Sequence, residues 1–240
     1  MPHALDNPTV VEFSLRGEGW MAETTPATRV PSHGTDLLGL RYACDFLRVD
    51  RRNGAHFHPA GVLRFLAVGG RTRECYAWGA SIHAPFNAEV VRAVDGVPER
   101  SWIHPVREMA RRLWNGMTFT PARLPSIMGN HVILRSLSGS APVFAGFAHL
   151  APGAIEVVEG QRVMTGDVIG RVGHTGNSTS PHLHFQLMDS ADLMTARGIA
   201  CAFRAYEVEQ GGSWVAVTNG IPDHRGRIRS VEPESSSSRP

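Results

Sequence analysis

A mainly β protein, its strands forming an antiparallel, barrel-like or rolled sheet with short helices in insertions, is the fold class this sequence predicts. Three observations predict it. The second half is a regular series of short apolar or alternating runs parted by Gly, Ser and Pro turns. Glycine and proline supply 25 and 16 of the 240 residues, which makes the chain rich in turns. Helical periodicity is scarce, with one well-formed candidate.

Taken in order, residues 9–15 alternate toward their end, and residues 42–49 read as a buried strand with polar residues set into it. Residues 61–68 fit a strand or a short helix. Residues 81–85 lead into a strand at 88–94, closed by the Asp95-Gly96 turn signal. The helix candidate is 105–114: Pro105 suits a first helical position, and Val106, Met109, Ala110 and Leu113 share one face. Strands follow at 130–135, 142–149, 161–163, 167–172 and 182–188, then at 202–208 and, after a Gly-Gly turn, at 214–217. A polar stretch and the Ser235 to Ser238 run make residues 226–240 an expected disordered tail.

Composition narrows the function. The length and an apolar share of 42% suit one domain, residues 1–225, with ample sequence for a core. A net charge of +2, carried by 24 scattered arginines and no lysine, gives no phosphate-tracking surface, so nucleic acid is excluded as a partner. Cys44, Cys75 and Cys201 are widely spaced and form no Cys-x-x-Cys pair, so they read as buried thiols and leave any metal to His and carboxylate. No run is long enough to span a membrane. The N-terminus lacks the basic start and apolar run of a signal peptide, which on sequence alone predicts a cytoplasmic location. Nothing in the sequence fixes the oligomeric state.

The richest segment is His174-Thr-Gly-Asn-Ser-Thr-Ser-Pro-His182-Leu-His184-Phe-Gln-Leu187. On a strand, His182 and His184 point to the same face with Cα atoms about 6.6 Å apart, close enough to share one metal centre. The flanking Gly, Asn, Ser and Pro residues form a turn that delivers the pair onto the strand. A second His-x-His, at His56 and His58, sits beside Asn53-Gly54 and Pro59 and reads as solvated loop histidines.

Further motifs join this one in a fixed order. Phe147-Ala-His149-Leu150, Val158-Glu-Gly-Gln-Arg-Val163, Thr165-Gly-Asp-Val-Ile-Gly170, Val172-Gly-His-Thr-Gly176 and Ser178-Thr-Ser-Pro-His-Leu-His-Phe185 closely resemble, in order and spacing, the lysostaphin-type (LytM-like) zinc metallopeptidases that cut peptidoglycan peptides. The likeness continues through Gly129-Asn-His-Val-Ile-Leu134 and Ile82-His-Ala-Pro-Phe-Asn-Ala-Glu-Val90, and covers roughly residues 30–50 and 77–190. Residues 1–29 then read as an N-terminal extension, 51–76 as an insertion and 190–222 as a C-terminal extension.

The resemblance implies a site. His184 would bind Zn²⁺, and His182 would face the reacting centre without being a ligand. His149 would be its catalytic partner. The remaining ligands would come from His33 and an aspartate, leaving a fourth position for water. The family usually joins its first two ligands as His-x-x-x-Asp, yet Asp36 is one residue too close to His33 and Asp45 is twelve residues on. Asp45 is preferred, because it lies in the apolar run 42–49, where a carboxylate needs a cation to offset its desolvation. Asp36 reads as a turn-capping loop residue. Ser180 and Gln186 stand where the family commonly has Gly and an acid. There is no His-Glu-x-x-His helix, so general acid–base work would fall to His149 and His182. The resemblance thus implies a zinc metalloendopeptidase acting on peptide or peptidoglycan substrates in the cell envelope or outside the cell. An inactive module that binds peptidoglycan or a partner protein, or a metal-binding β-roll unrelated to hydrolysis, is the alternative, and loss of cleavage on chelation with rescue by Zn²⁺ separates them.

Overall fold

A computed structural model describes residues 7–50, 52, 56–139 and 141–231. Strands β1 (Thr9–Val11) and β2 (Trp20–Thr24) come first, followed by 3-10 turns at Leu37–Tyr42 and by β3 (Cys44–Arg48). Helix α1 (Val62–Val68) and the short β4 (Gly70–Arg71) precede β5 (Ser81–His83), β6 (Ala88–Val94) and β7 (Trp102–Ile103). Helices α2 (Pro105–Met117) and α3 (Leu124–Met128) lead to β8 (Asn130–Ser136), β9 (Phe144–Leu150), β10 (Arg162–Val163), β11 (Val168–Arg171) and β12 (Leu183–Met188). Last come β13 (Gly198–Ile199), β14 (Cys201–Gln210), β15 (Ser213–Gly220) and β16 (Arg227–Ser230).

The mainly β class is borne out. Among the described residues most strands join one sheet in the order β1-β14-β16-β2-β3-β12-β9-β8-β6-β10, with β13 beside β12 and β15 beside β14. Every neighbouring pair is antiparallel except β1 with β14, so the sheet is mixed, and it does not close into a barrel. No helix among the described residues is long and apolar enough to cross a membrane.

Period-two alternation assigns the two faces. Along β12, Leu183, Phe185 and Leu187 enter the main core, whereas Met188 packs in a second cluster on the other face with Ile133 and Ala148. Along β3, Cys44 and Phe46 face the main core, and Leu47 joins Met21 and Val49 on the opposite side. Phe13, Phe46, Phe185 and Phe203 meet at ring-centroid distances of 5.1 to 5.7 Å, which anchors the core where β3, β12 and β14 converge.

Several expectations are corrected. Only Thr9–Val11 of the expected strand 9–15 pairs as a strand, although Phe13 and Leu15 remain buried. Residues 61–68 resolve as helix α1, which buries Phe65 and stops at Gly69, where φ is +76° and a Cβ would lie 2.1 Å from the Ile103 carbonyl oxygen. The helix at 105–114 forms and runs on to Met117, but its shared apolar face is not its buried one: Val106 and Leu113 are 68% and 59% exposed while Glu108 is 3% exposed. The expected tail starts too early, because Arg227–Ser230 pairs with β2 and β14. Its alternation buries Ile228 and sets Arg227 and Arg229 beside Glu209 and Glu207. The remainder of that tail, 232–240, lies outside the described residues.

Candidate metal centre and catalytic histidines

Register brings the polar residues of the second face together. Asp45 of β3 stands directly opposite His184 of β12, which in turn stands opposite Ala148 of β9. His182 precedes β12 by one residue and shares the His184 face, as the i, i+2 spacing predicts. His149 reaches that face by a different device. Its φ is +67°, and the β8–β9 register shifts between Asn130 and Val132, so Ala148 and His149 together oppose His131. This β-bulge suspends the alternation, letting Phe147 and Leu150 both enter the core while the imidazole between them turns to the site. The His149 ring lies 5.0 Å from that of His182 and 5.8 Å from that of His184.

His33 arrives from the loop before β3, with Nε2 3.0 Å from Asp45 Oδ2. His184 Nδ1 is 2.8 Å from Asp45 Oδ1 and His182 Nε2 is 3.5 Å from the same oxygen. One ligand atom each from His33, Asp45 and His184 lie within 4.8 Å of one another. Asp36 does not join them: its carboxylate is exposed and accepts from Arg41 Nη1 at 2.6 Å.

The surrounding hydrogen bonds assign the tautomers. Gln186 Nε2 donates to the Leu38 carbonyl, which orients the amide so that Oε1 can only accept, and it accepts from His184 Nε2–H at 2.8 Å. Ser32 Oγ donates to the Leu40 carbonyl and so accepts from His33 Nδ1–H at 3.1 Å. In the metal-binding form of each ring the inward nitrogen therefore carries a lone pair aimed at a carboxylate oxygen. Lone pairs facing each other at 2.8 to 3.0 Å require a proton or a cation between them. Three such atoms, two imidazole nitrogens and one carboxylate oxygen, form a donor set that fits a divalent metal.

Burial raises the Asp45 carboxyl, but His33, His182 and His184 outweigh it and hold its pKa well below the usual range. Burial lowers His184, yet its bond to Asp45 leaves the ring raised overall. His149 is held well below the ordinary histidine range by burial and then by His182 and His184. It is therefore neutral, and because its Nδ1–H donates to the Thr175 carbonyl at 2.9 Å, its Nε2 is the free base. His182 repeats the arrangement, Nδ1–H donating to the Ser180 carbonyl at 2.7 Å.

A further layer supports the 174–180 loop. Arg100 donates to the carbonyls of Gly176 and Ser178 and to His174 Nε2, and pairs with buried Glu108 of α2 at 3.0 Å. Burial, then Arg100, push fully buried His174 down to about 2, so it stays neutral and its Nδ1–H donates to Ser178 Oγ. The sequence reading missed Arg100, Glu108 and the roles of Ser32 and Gln186. For Gln186 a signal existed, since it follows His184 at i+2 and so shares its face. The second His-x-His stays out of the site, and His58 is not solvated. It is buried, accepting from the Ala60 N–H at Nδ1 and donating from Nε2 to the Arg71 carbonyl, because α1 and β4 cover it.

Residues 116–195 match the family model of peptidase family M23. No curated protein matches the chain. Among solved structures it is similar to the catalytic domain of the antimicrobial peptidase lysostaphin from Staphylococcus simulans, at 19% identity and a TM-score of 0.37, covering 76% of this chain and 88% of that one. It is also similar to a zinc-containing peptidase from Vibrio cholerae, at 20% identity and a TM-score of 0.36, covering 75% of this chain and 37% of that one. A variant of the catalytic domain of the prophage-encoded M23 protein EnpA from Enterococcus faecalis gives 15% identity and a TM-score of 0.37, covering 83% and 92%.

Proposed function

From a chain that is LytM-like, with an M23 peptidase segment at residues 116–195, we propose a zinc-dependent metalloendopeptidase that hydrolyses peptide bonds in peptidoglycan stem or cross-bridge peptides. The observation that carries this reading is the donor set of His33, Asp45 and His184, with the proton positions on both rings fixed by Ser32 and Gln186. Three protein ligands suit a hydrolytic zinc site, which keeps a position for water. Bound zinc would supply a Lewis acid and a water of lowered pKa.

The chain's own residues would handle the protons. His149, which is neutral, and His182, whose Nδ1–H is committed to the Ser180 carbonyl, each offer Nε2 as a base toward an attacking water. As a ring takes that proton, the Thr175 or Ser180 carbonyl accepting from its Nδ1–H stabilises the imidazolium. The same Nε2–H then hydrogen-bonds the developing oxyanion or delivers its proton to the leaving amine nitrogen. An inactive binding module is the weaker reading, since all five residues that the chemistry needs are present in this chain.

The test is to load the purified protein with zinc and incubate it with purified peptidoglycan and with a diverse peptide library, reading products by mass spectrometry. Release of new amino termini from wall peptides, abolished by a chelator and restored by Zn²⁺, is the expected result. Cleavage confined to unrelated peptides would reject the wall substrate, and no cleavage by zinc-loaded protein would reject the enzyme.

A further inference from the structure

A cavity of about 870 Å³ opens beside the candidate centre, with Asp45, Ser180 and His182 at one end. Its floor is the second face of β2 and β3. Asp45, Leu47 and Val49 lie on one side of the chain by alternation, and Met21 of β2 stands opposite Leu47. Phe57, Phe65, Leu66 and Met109 line it from the segment over the sheet, and the charged Glu23, Arg29, Glu108, Arg112, Arg225 and Arg227 line it as well. Leu66 and Met109 are 54% and 50% exposed, apolar surface left at the mouth of a groove that begins at the catalytic residues.

We infer that this groove is a subsite for a large aliphatic or aromatic side chain of the substrate, so that the chain selects peptides carrying such a residue close to the cut bond. The inference rests on the hydrolytic reading and adds selectivity to it. Leu47 lies two residues from Asp45 along β3, about 6.6 Å at ~3.3 Å per residue. That is the repeat between side chains on one face of an extended peptide, so a substrate lying along β3 sets its next same-side group over Leu47 and Met21. A peptide of glycine and alanine alone leaves this volume unfilled, whereas a leucine- or phenylalanine-sized group removes the exposed apolar surface of Leu66 and Met109 from water. Among wall peptides this favours stems with a long side chain near the scissile bond over all-glycine bridges.

The experiment uses blocked peptides of glycine and alanine, and a matched series in which one Leu or Phe is moved through each position. Binding is measured calorimetrically on the zinc-loaded His149→Ala protein, and cleavage by the unaltered protein is followed by mass spectrometry. For at least one placement, binding about tenfold tighter than the glycine and alanine parent is expected. Leu66→Ser with Met109→Ser, both at half-exposed positions the fold tolerates, should reduce that ratio several-fold. Equal affinity across the series overturns the subsite even if every peptide is cut, which leaves the hydrolytic reading standing. A clear preference in binding with no cleavage supports the subsite and overturns the hydrolytic reading instead.

Discussion

Gln186 does for His184 what Ser32 does for His33: each accepts the outward N–H and so commits the inward nitrogen to a ligand's lone pair. Gln186→Leu should therefore weaken zinc binding by about 10- to 100-fold with the ligands intact, measured by competition with a chromophoric chelator. Asp45→Ala should release the metal while Asp36→Ala retains it, read by metal analysis of the purified proteins; the opposite pattern would overturn the ligand assignment. His149→Ala and His182→Ala should keep zinc yet lose on the order of 10²-fold or more in cleavage rate. Acid should also release the metal. The pKa of metal-free His184 is raised, since its bond to Asp45 outweighs burial, so the proton begins to compete with zinc at a higher pH than for a free histidine. Asp45 stays ionised there, its pKa held down by His33, His182 and His184 against burial. Zinc affinity should thus be greatest above the raised His184 pKa and fall as pH drops through it, with affinity constant down to pH 5 as the contrary result. At this scale the sequence was legible where spacing does the work, as in His182 and His184. It was silent on proton positions, which depend on partners such as Leu38 and Leu40 that only folding brings near.

The 174–180 loop, the β9 bulge and helix α2 act together as elements. Arg100 ties that loop to Glu108, and through the neutral His174 and Ser178 the tie reaches the Nδ1 side of His182. Arg100→Gln should lower cleavage without removing zinc, because no ligand is touched. It should also lower stability in chemical denaturation, since a carboxylate only 3% exposed loses its closest cation and is left with the more distant Arg111 at 3.7 Å. The double variant Arg100→Met, Glu108→Leu should regain much of that stability but not the cleavage rate. Full activity in Arg100→Gln would show that the tie does not position His182. The helix at 105–117 was legible from its Pro105 start, but its apolar periodicity pointed to the wrong buried face. Periodicity reports which residues share a side, and the ion pair to Arg100, distant in sequence from the loop it holds, decides which side turns inward.

Across the whole molecule, β14 and β16 lie between β1 and β2 and supply Phe203, Tyr206 and Ile228 to the core. Residues 198–231 should therefore be integral to the fold. Truncation before residue 198 should abolish a single cooperative unfolding transition, measured by calorimetry and near-ultraviolet dichroism, because it bares the β2 edge and leaves Phe13 and Phe46 without Phe203. A truncated chain that still unfolds cooperatively would make this segment an appendage. By itself the sequence determined the β class, most strands of the second half, the motif series and the shared face of His182 and His184. Those are local properties, set by alternation, turn residues and order along the chain. Only the tertiary structure decided that Asp45 stands opposite His184, that a bulge turns His149 to the same face, and that Arg100 and Glu108 brace His182. These depend on inter-strand register and on packing between distant segments, and a shift of one residue in the register of β3 or β12 would send Asp45 or His184 to the other face.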